Sequence, residues 1–219
     1  NRGHHMQDSL PRFPRNSLLT FYVILSIVVV GFSIFGASLS NRFVAWDDDY
    51  LIVSNVIIRG FSLQHIYHAF TSFDPELYNP LSMLSYMLDY TLGGLQPSIF
   101  HFFNIVQHIC NALLVSWFLW LLSRKKWIGI FAGFIFLAHP LNVEAVCWAA
   151  ARKDTQSTLF FLASIIAYVY YIHAHQHNHQ KKLWVTSLFF FVCAILSKAM
   201  VLTLPVVLLL IDYLVRRPW

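Results

Sequence analysis

Apolar runs long enough to cross a bilayer alternate along this chain with short charged segments. Leu18 to Leu39 is the first, and about 20 such residues suffice for a crossing. Ile99 to Leu122 predicts a second. Ile128 to Ala138 begins a third, which His139-Pro140 interrupts, because proline lacks a backbone donor and breaks the helix. An amphipathic stretch, Leu141 to Ala151, follows the break. Thr155 to Ile172 predicts another crossing. Leu183 to Leu196 and Met200 to Leu214 are shorter, with Ser197-Lys198-Ala199 between them. Fusing these two into one helix would set Lys198 at mid-membrane and send Arg216 and Arg217 to the outer side. Both are costly, so about six crossings are expected.

The segment 40–98 joins the first two crossings. Within it Phe61 to Thr71 and Pro80 to Leu92 are amphipathic at helical spacing, with Ile66, Phe70, Leu84 and Leu88 among the apolar positions. Neither is long enough to span, so both are expected along the membrane surface. Asn79-Pro80 and Gly93-Gly94 punctuate them. Residues 1–17 read as a flexible tail and 18–219 as one membrane domain. The fold class is therefore an all-α polytopic membrane protein with amphipathic surface helices in its first outer loop.

Composition agrees with the pattern. Hydrophobic residues make up 58% of the chain and charged ones 11%, too little charge to cover a soluble domain of this length. The net charge of +5 does not point to nucleic acid, because the charges are sorted. With a cytoplasmic N-terminus, the inner segments hold Arg12, Arg15, Arg124, Lys125, Lys126, Lys181, Lys182, Arg216 and Arg217. Most acids fall outside: Asp47, Asp48, Asp49, Asp74, Glu76, Asp89, Glu144 and Asp154. A bacterial inner membrane or an endoplasmic reticulum membrane is the expected location. The first run lacks a small-residue cleavage site and is expected to stay as an anchor. Cys110, Cys147 and Cys193 are odd in number and read as small hydrophobes, with no disulfide framework.

Polar residues inside the apolar pattern carry the candidate chemistry. His101, Asn104, His108 and Asn111 share one helix face, and Gln107 is at its margin. The opposite face, with Phe102, Ile105, Val106, Ile109 and Leu113, suits lipid. The polar stripe should face other helices, either for interhelical hydrogen bonds alone or with His101 also touching a substrate. At the third break, His139 and Glu144 are expected to point into a cavity, since broken helices at membrane depth are tolerated where they line one. Arg152, Lys153 and Lys198 fall on the outer side against apolar segments. Cations there suit a lipid phosphate; the alternative is a neutralised network such as Arg152 with Asp154. The alternating histidines His173, His175, His177 and His179 read as a hydrophilic connector, with a transition-metal site as the alternative.

The sequence FVAWDDDY, 43–50, follows the first crossing directly. Three adjacent carboxylates repel one another, and a low-dielectric neighbourhood raises the pKa of at least one. Such a group suits a general base near neutral pH. A solvated acidic turn and a divalent-metal site are the other readings.

Several runs together resemble one family. They are FVAWDDDY, YNPLSMLSYMLDY, GGLQPSIFHFFNIVQHICNALL, LAHPLNVEAVCWAAARKDTQS and LSKAMVLTLPVVLLLIDY, in that order. From about Phe43 to Tyr213 they are similar to the N-terminal half of the transmembrane, tetratricopeptide-repeat O-mannosyltransferases and their bacterial relatives. The resemblance implies a type-C glycosyltransferase-like fold and a polyprenyl-phosphate sugar donor. An acceptor protein supplies the hydroxyl, transfer inverts the sugar, and a carboxylate acts as base, carried over to Asp48 with Asp47 second. It assigns Arg152, Lys153 and Lys198 to the donor phosphate, and His139, Glu144 and His101 to orienting substrates. Family members continue with further spans and a repeat array, so the domain is expected to be incomplete at Trp219. No metal is assigned. A reading from another class is a non-catalytic or pigment- or haem-associated subunit of a larger membrane complex.

Overall fold

The computed structural model describes residues 17–73, 78–174 and 176–215. Of the tail expected over 1–17, residues 1–16 lie outside the described residues, as do Asp74, Glu76, His175, Arg216 and Arg217, while Ser17 opens the first helix. The described residues form helices joined by short turns: α1 (Ser17–Phe35), α2 (Leu63–Thr71), α3 (Pro80–Gly93), α4 (Pro97–Ser123), α5 (Lys126–Ala138), α6 (Val143–Cys147), α7 (Arg152–His173), α8 (His177–Ser197) and α9 (Leu204–Val215). Short 3-10 turns prolong α1 over Gly36–Ser40 and precede α6, α7 and α9.

Four helical stretches are long and apolar enough to cross a membrane: Leu18–Ser40, Pro97–Ser123, Ala149–His173 and His177–Ser197. The pair α5 and Pro140–Cys147, bent by 53° at the break, makes a fifth if counted as one crossing. Ala199–Val215 is a further, shorter apolar helix. This is an all-α polytopic membrane protein. The break falls at His139, where Pro140 opens a 3-10 turn. Asn142 caps the interrupted helix by donating from Nδ2 to the Phe136 carbonyl at 2.7 Å. The histidine run differs from its expectation. His177 and His179 lie in the first turn of α8, so the helix starts six residues earlier than the apolar pattern. The i, i+4 spacing of polar residues lets them cover an exposed turn just as well as a loop.

Small residues set how closely α4 and α5 pack. A Cβ at Gly129 would stand 2.3 Å from the Ser116 carbonyl oxygen, and one at Gly133 would stand 1.8 Å from Ser116 Oγ and 2.9 Å from the Ala112 carbonyl. Lipid is as apolar as leucine, so close backbone approach of this kind, not hydrophobic transfer, drives helix association in a membrane. Gly31 of α1 admits Ile109 of α4 in the same way, at 2.6 Å from its would-be Cβ. Ile105 and Ile109 are consequently buried in a cluster with Ile27, Phe35 and Leu137. This corrects the expectation that their face of α4 meets lipid; only Phe102 on that face is broadly exposed.

The helix α3 also departs from a surface helix. Its apolar face (Met83, Tyr86, Met87) is buried with Phe100, Ala149 and Ala150, so protein covers it instead of lipid. Its polar residues tie it to distant chain. Tyr86 Oη donates to the carbonyls of Ala149 and Ala150 at 3.3 and 3.1 Å, Ser82 Oγ to that of Ser197 at 3.3 Å, and Gln156 Nε2 donates to Leu81 at 3.1 Å. Gly94, at φ +61, makes the turn from α3 into α4. By contrast α2 keeps Leu63, Tyr67 and Phe70 exposed while Ala69 packs inward.

Candidate functional site

The first turn of α7 organises the charged residues. Arg152, Lys153 and Asp154 are consecutive, and successive helical residues point about 100° apart, so they face three directions. Each direction holds a partner far away in sequence.

Arg152 points into the protein and is 0% exposed. Its Nη2 donates to Asp89 Oδ2 and to the Phe100 carbonyl, both at 2.7 Å, and Nη1 donates to Ser85 Oγ at 2.6 Å. Nε donates to Asn104 Oδ1. The guanidinium also lies over the rings of Tyr86 and Phe103. Arg152, expected at a donor phosphate, is buried here and four of its donors are engaged within the protein. Its partner is Asp89, not Asp154. Asp89 is the residue that sequence reasoning missed. A signal existed, because Asp89 stands three residues after Tyr86 on the buried face of an amphipathic helix, and a carboxylate there needs a cation. Burial pushes the Asp89 carboxyl up to about 6, against the pull of Arg152.

Lys153 turns the other way. Its Nζ stands 3.4 Å from Asp47 Oδ2, whose side chain is 36% exposed. The acidic sequence 47–49 diverges. Asp48, next to Asp47, is 0% exposed. It accepts from Val44 N at 2.9 Å and Ala150 N at 2.7 Å, one on each oxygen. It thus pins the end of the first outer segment to the turn that opens α7, where the positive helix end favours an anion. Burial raises the Asp48 carboxyl above its ordinary value, while the two amides, the charge of His101 and the Trp148 indole pull it down. Asp49 is exposed and opens a short π-helical turn, Asp49–Val53. The three carboxylates do not converge, and among the described residues no group of three or more His, Cys, Asp or Glu could hold a metal ion.

Asp154 faces the third direction and pairs with Lys198. Both line a polar pocket of about 380 Å³, together with Glu144, Asn142, His108 and Asn111. Two helix breaks frame this pocket: His139-Pro140 brings Asn142 and Glu144, and Ser197-Lys198 brings the cation. Leu141 and Met200, one beside each break, are exposed. His139 is exposed and turns back to its own chain, accepting from Leu141 N at 3.3 Å.

The α4 stripe is buried throughout. Asn104 Nδ2 donates to the Trp148 carbonyl at 2.8 Å, His108 Nε2 meets the Leu137 carbonyl at 3.1 Å, and Asn111 Nδ2 donates to the Thr155 carbonyl at 2.8 Å. The stripe stitches α4 to the breaks and to α7. His101 differs: both ring nitrogens are buried without a hydrogen-bond partner. It sits behind Asp48, close enough to act on its charge, and in this geometry is closed to a substrate. His101 and His108 share one helix, so they offer no facing pair for a haem.

The chain is 32% identical over 107 residues to human (Homo sapiens) protein O-mannosyl-transferase TMTC2, covering 49% of this chain and 13% of that protein. It is 30% identical over 145 residues to protein O-mannosyl-transferase TMTC1 of Mus musculus, covering 61% of this chain and 15% of that protein. It is 30% identical over 92 residues to human protein O-mannosyl-transferase TMTC3, covering 42% of this chain and 10% of that protein. The matched part is thus a small fraction of each relative's length. No protein-family model and no solved structure matches the chain. Over about half its length, this chain is similar to the protein O-mannosyl-transferases of the TMTC family.

Proposed function

We propose that this chain carries the base and the leaving-group side of a membrane glycosyltransferase. It moves a sugar, of the mannose class that its relatives' names suggest, from a polyprenyl phosphate to a protein Ser or Thr hydroxyl at the extracytoplasmic face. The observation that carries this reading is the pairing of Asp47 with Lys153 at 3.4 Å, with the next residue of the same helix, Asp154, paired to Lys198 in the polar pocket.

The roles follow from accessibility. Asp47 is the better base, because its carboxylate is part-exposed while both oxygens of Asp48 are occupied. Asp47 takes the proton of the acceptor hydroxyl as the oxygen attacks the anomeric carbon. The bond from that carbon to the phosphate oxygen breaks, and the lipid phosphate leaves with the electron pair. Lys198 and Lys153 stabilise its charge, which a site poor in water makes worth more. Glu144 and His139 orient the substrates from the facing break. Asp48, Arg152 and His101 act as positioning residues behind Asp47 and Lys153. Exposed Leu141 and Met200 beside a charged pocket suit a ligand with a polar head and an isoprenoid tail.

The test is transfer of labelled sugar from a polyprenyl-phosphate donor to a Ser/Thr acceptor protein, in membranes containing the protein. Asp47→Asn is expected to lower transfer by about 10²–10⁴, the usual share of a general base, with the protein still folded. Unchanged transfer removes Asp47 from the role. Lys153 and Lys198 each already pair with a carboxylate of the chain, which favours a non-catalytic scaffold as the second reading; absence of transfer by the wild type would select it.

A further inference from the structure

We propose a binding site for an anionic phospholipid in the leaflet opposite the candidate site, built by α1, α4 and α5. Helix α4 carries His101 and Asn104 toward one membrane face and Trp117 and Trp120 toward the other. At the second face lies a groove of about 260 Å³ lined by Leu19, Val23, Leu113, Trp117 and Ile130, with Lys126 also in its wall. The lining is almost wholly apolar, as an acyl chain requires.

One polar feature defines the head of the ligand. Lys126 is the first residue of α5, is exposed, and is the charged residue in the groove wall. It closes the basic sequence Arg124-Lys125-Lys126 between two spans, at the level where lipid phosphates stand. A hydrocarbon slot with a cation at its mouth matches a phospholipid in the order of its parts. Charge complementarity selects an acidic headgroup, each Lys or Arg near the surface strengthening the attraction about fivefold.

Native mass spectrometry of the purified protein, titrated with phosphatidylglycerol and phosphatidylcholine of identical chains, tests the site. The wild type is expected to retain phosphatidylglycerol about fivefold over phosphatidylcholine. Lys126→Gln, at an exposed position that leaves the core intact, is expected to bring the two to parity. Leu113→Trp, which fills the groove, is expected to reduce retention of both. Circular dichroism confirms that each variant is folded; should Leu113→Trp fail to fold, Lys126→Gln decides alone. Equal retention by the wild type, or a preference unchanged in Lys126→Gln, overturns the proposal. A lipid-free dimer that Leu113→Trp dissociates assigns the groove to a second copy and overturns it too.

Discussion

Asp47 and Asp48 are neighbours with opposite circumstances, and substitution should separate them. Asp48→Asn keeps the shape but turns one acceptor into a donor facing an amide. It is expected to cost about 1–3 kcal/mol of stability and to lower transfer through loss of position. Asp47→Asn should leave thermal unfolding unchanged and act on transfer alone. Equal loss of stability in the two variants would contradict this division. Asp89 makes a pH prediction. Its carboxyl is raised to about 6 in the fold, against about 4 in an unfolded chain, so the folded state holds the extra proton between these values. The stabilisation from this group is full below the unfolded value and is lost as pH rises through about 6. Thermal unfolding in detergent, followed between those limits, should show a downward slope with pH that Asp89→Asn lacks. Neutral acceptors and aromatic faces around Arg152 let the guanidinium stay solvated when Asp89 is protonated. At this scale the sequence located the charges well but not their partners. The cluster 47–49 and the sequence 152–154 each read as one patch, yet each splits into three directions. Adjacency in a helix or turn says nothing of direction until the neighbouring chain is placed.

Elements were more legible than contacts. The apolar runs predicted α1, α4, α7 and α8, and the proline break appeared at His139-Pro140, because bilayer length and a missing donor are local properties. The buried side of α4 was not legible, since an isoleucine facing lipid and one facing Gly31 look alike in a hydropathy pattern. The α4–α5 contact supplies a test of packing. Gly129→Ala is expected to destabilise by about 1–3 kcal/mol, because backbone blocks the new methyl. Gly133→Ala should be partly rescued by Ser116→Ala, which removes the nearest obstacle, a side-chain oxygen. Gly129→Ala should not be rescued by that change. Thermal unfolding of the two single and two double variants measures the difference.

For the whole molecule, the acidic end and the basic end should open on opposite sides of the membrane. Trp46→Cys and Lys125→Cys occupy exposed positions at the two ends. In a background lacking the three free cysteines, a membrane-impermeant thiol reagent should label Trp46→Cys from the extracytoplasmic face and Lys125→Cys from the cytoplasmic face. Labelling of both from one side would undo the assigned orientation.

The three-way splay at the start of α7 has a mechanical consequence. Because 152, 153 and 154 each hold a different partner, inserting one residue after Ala151 would rotate every pairing to the wrong neighbour at once.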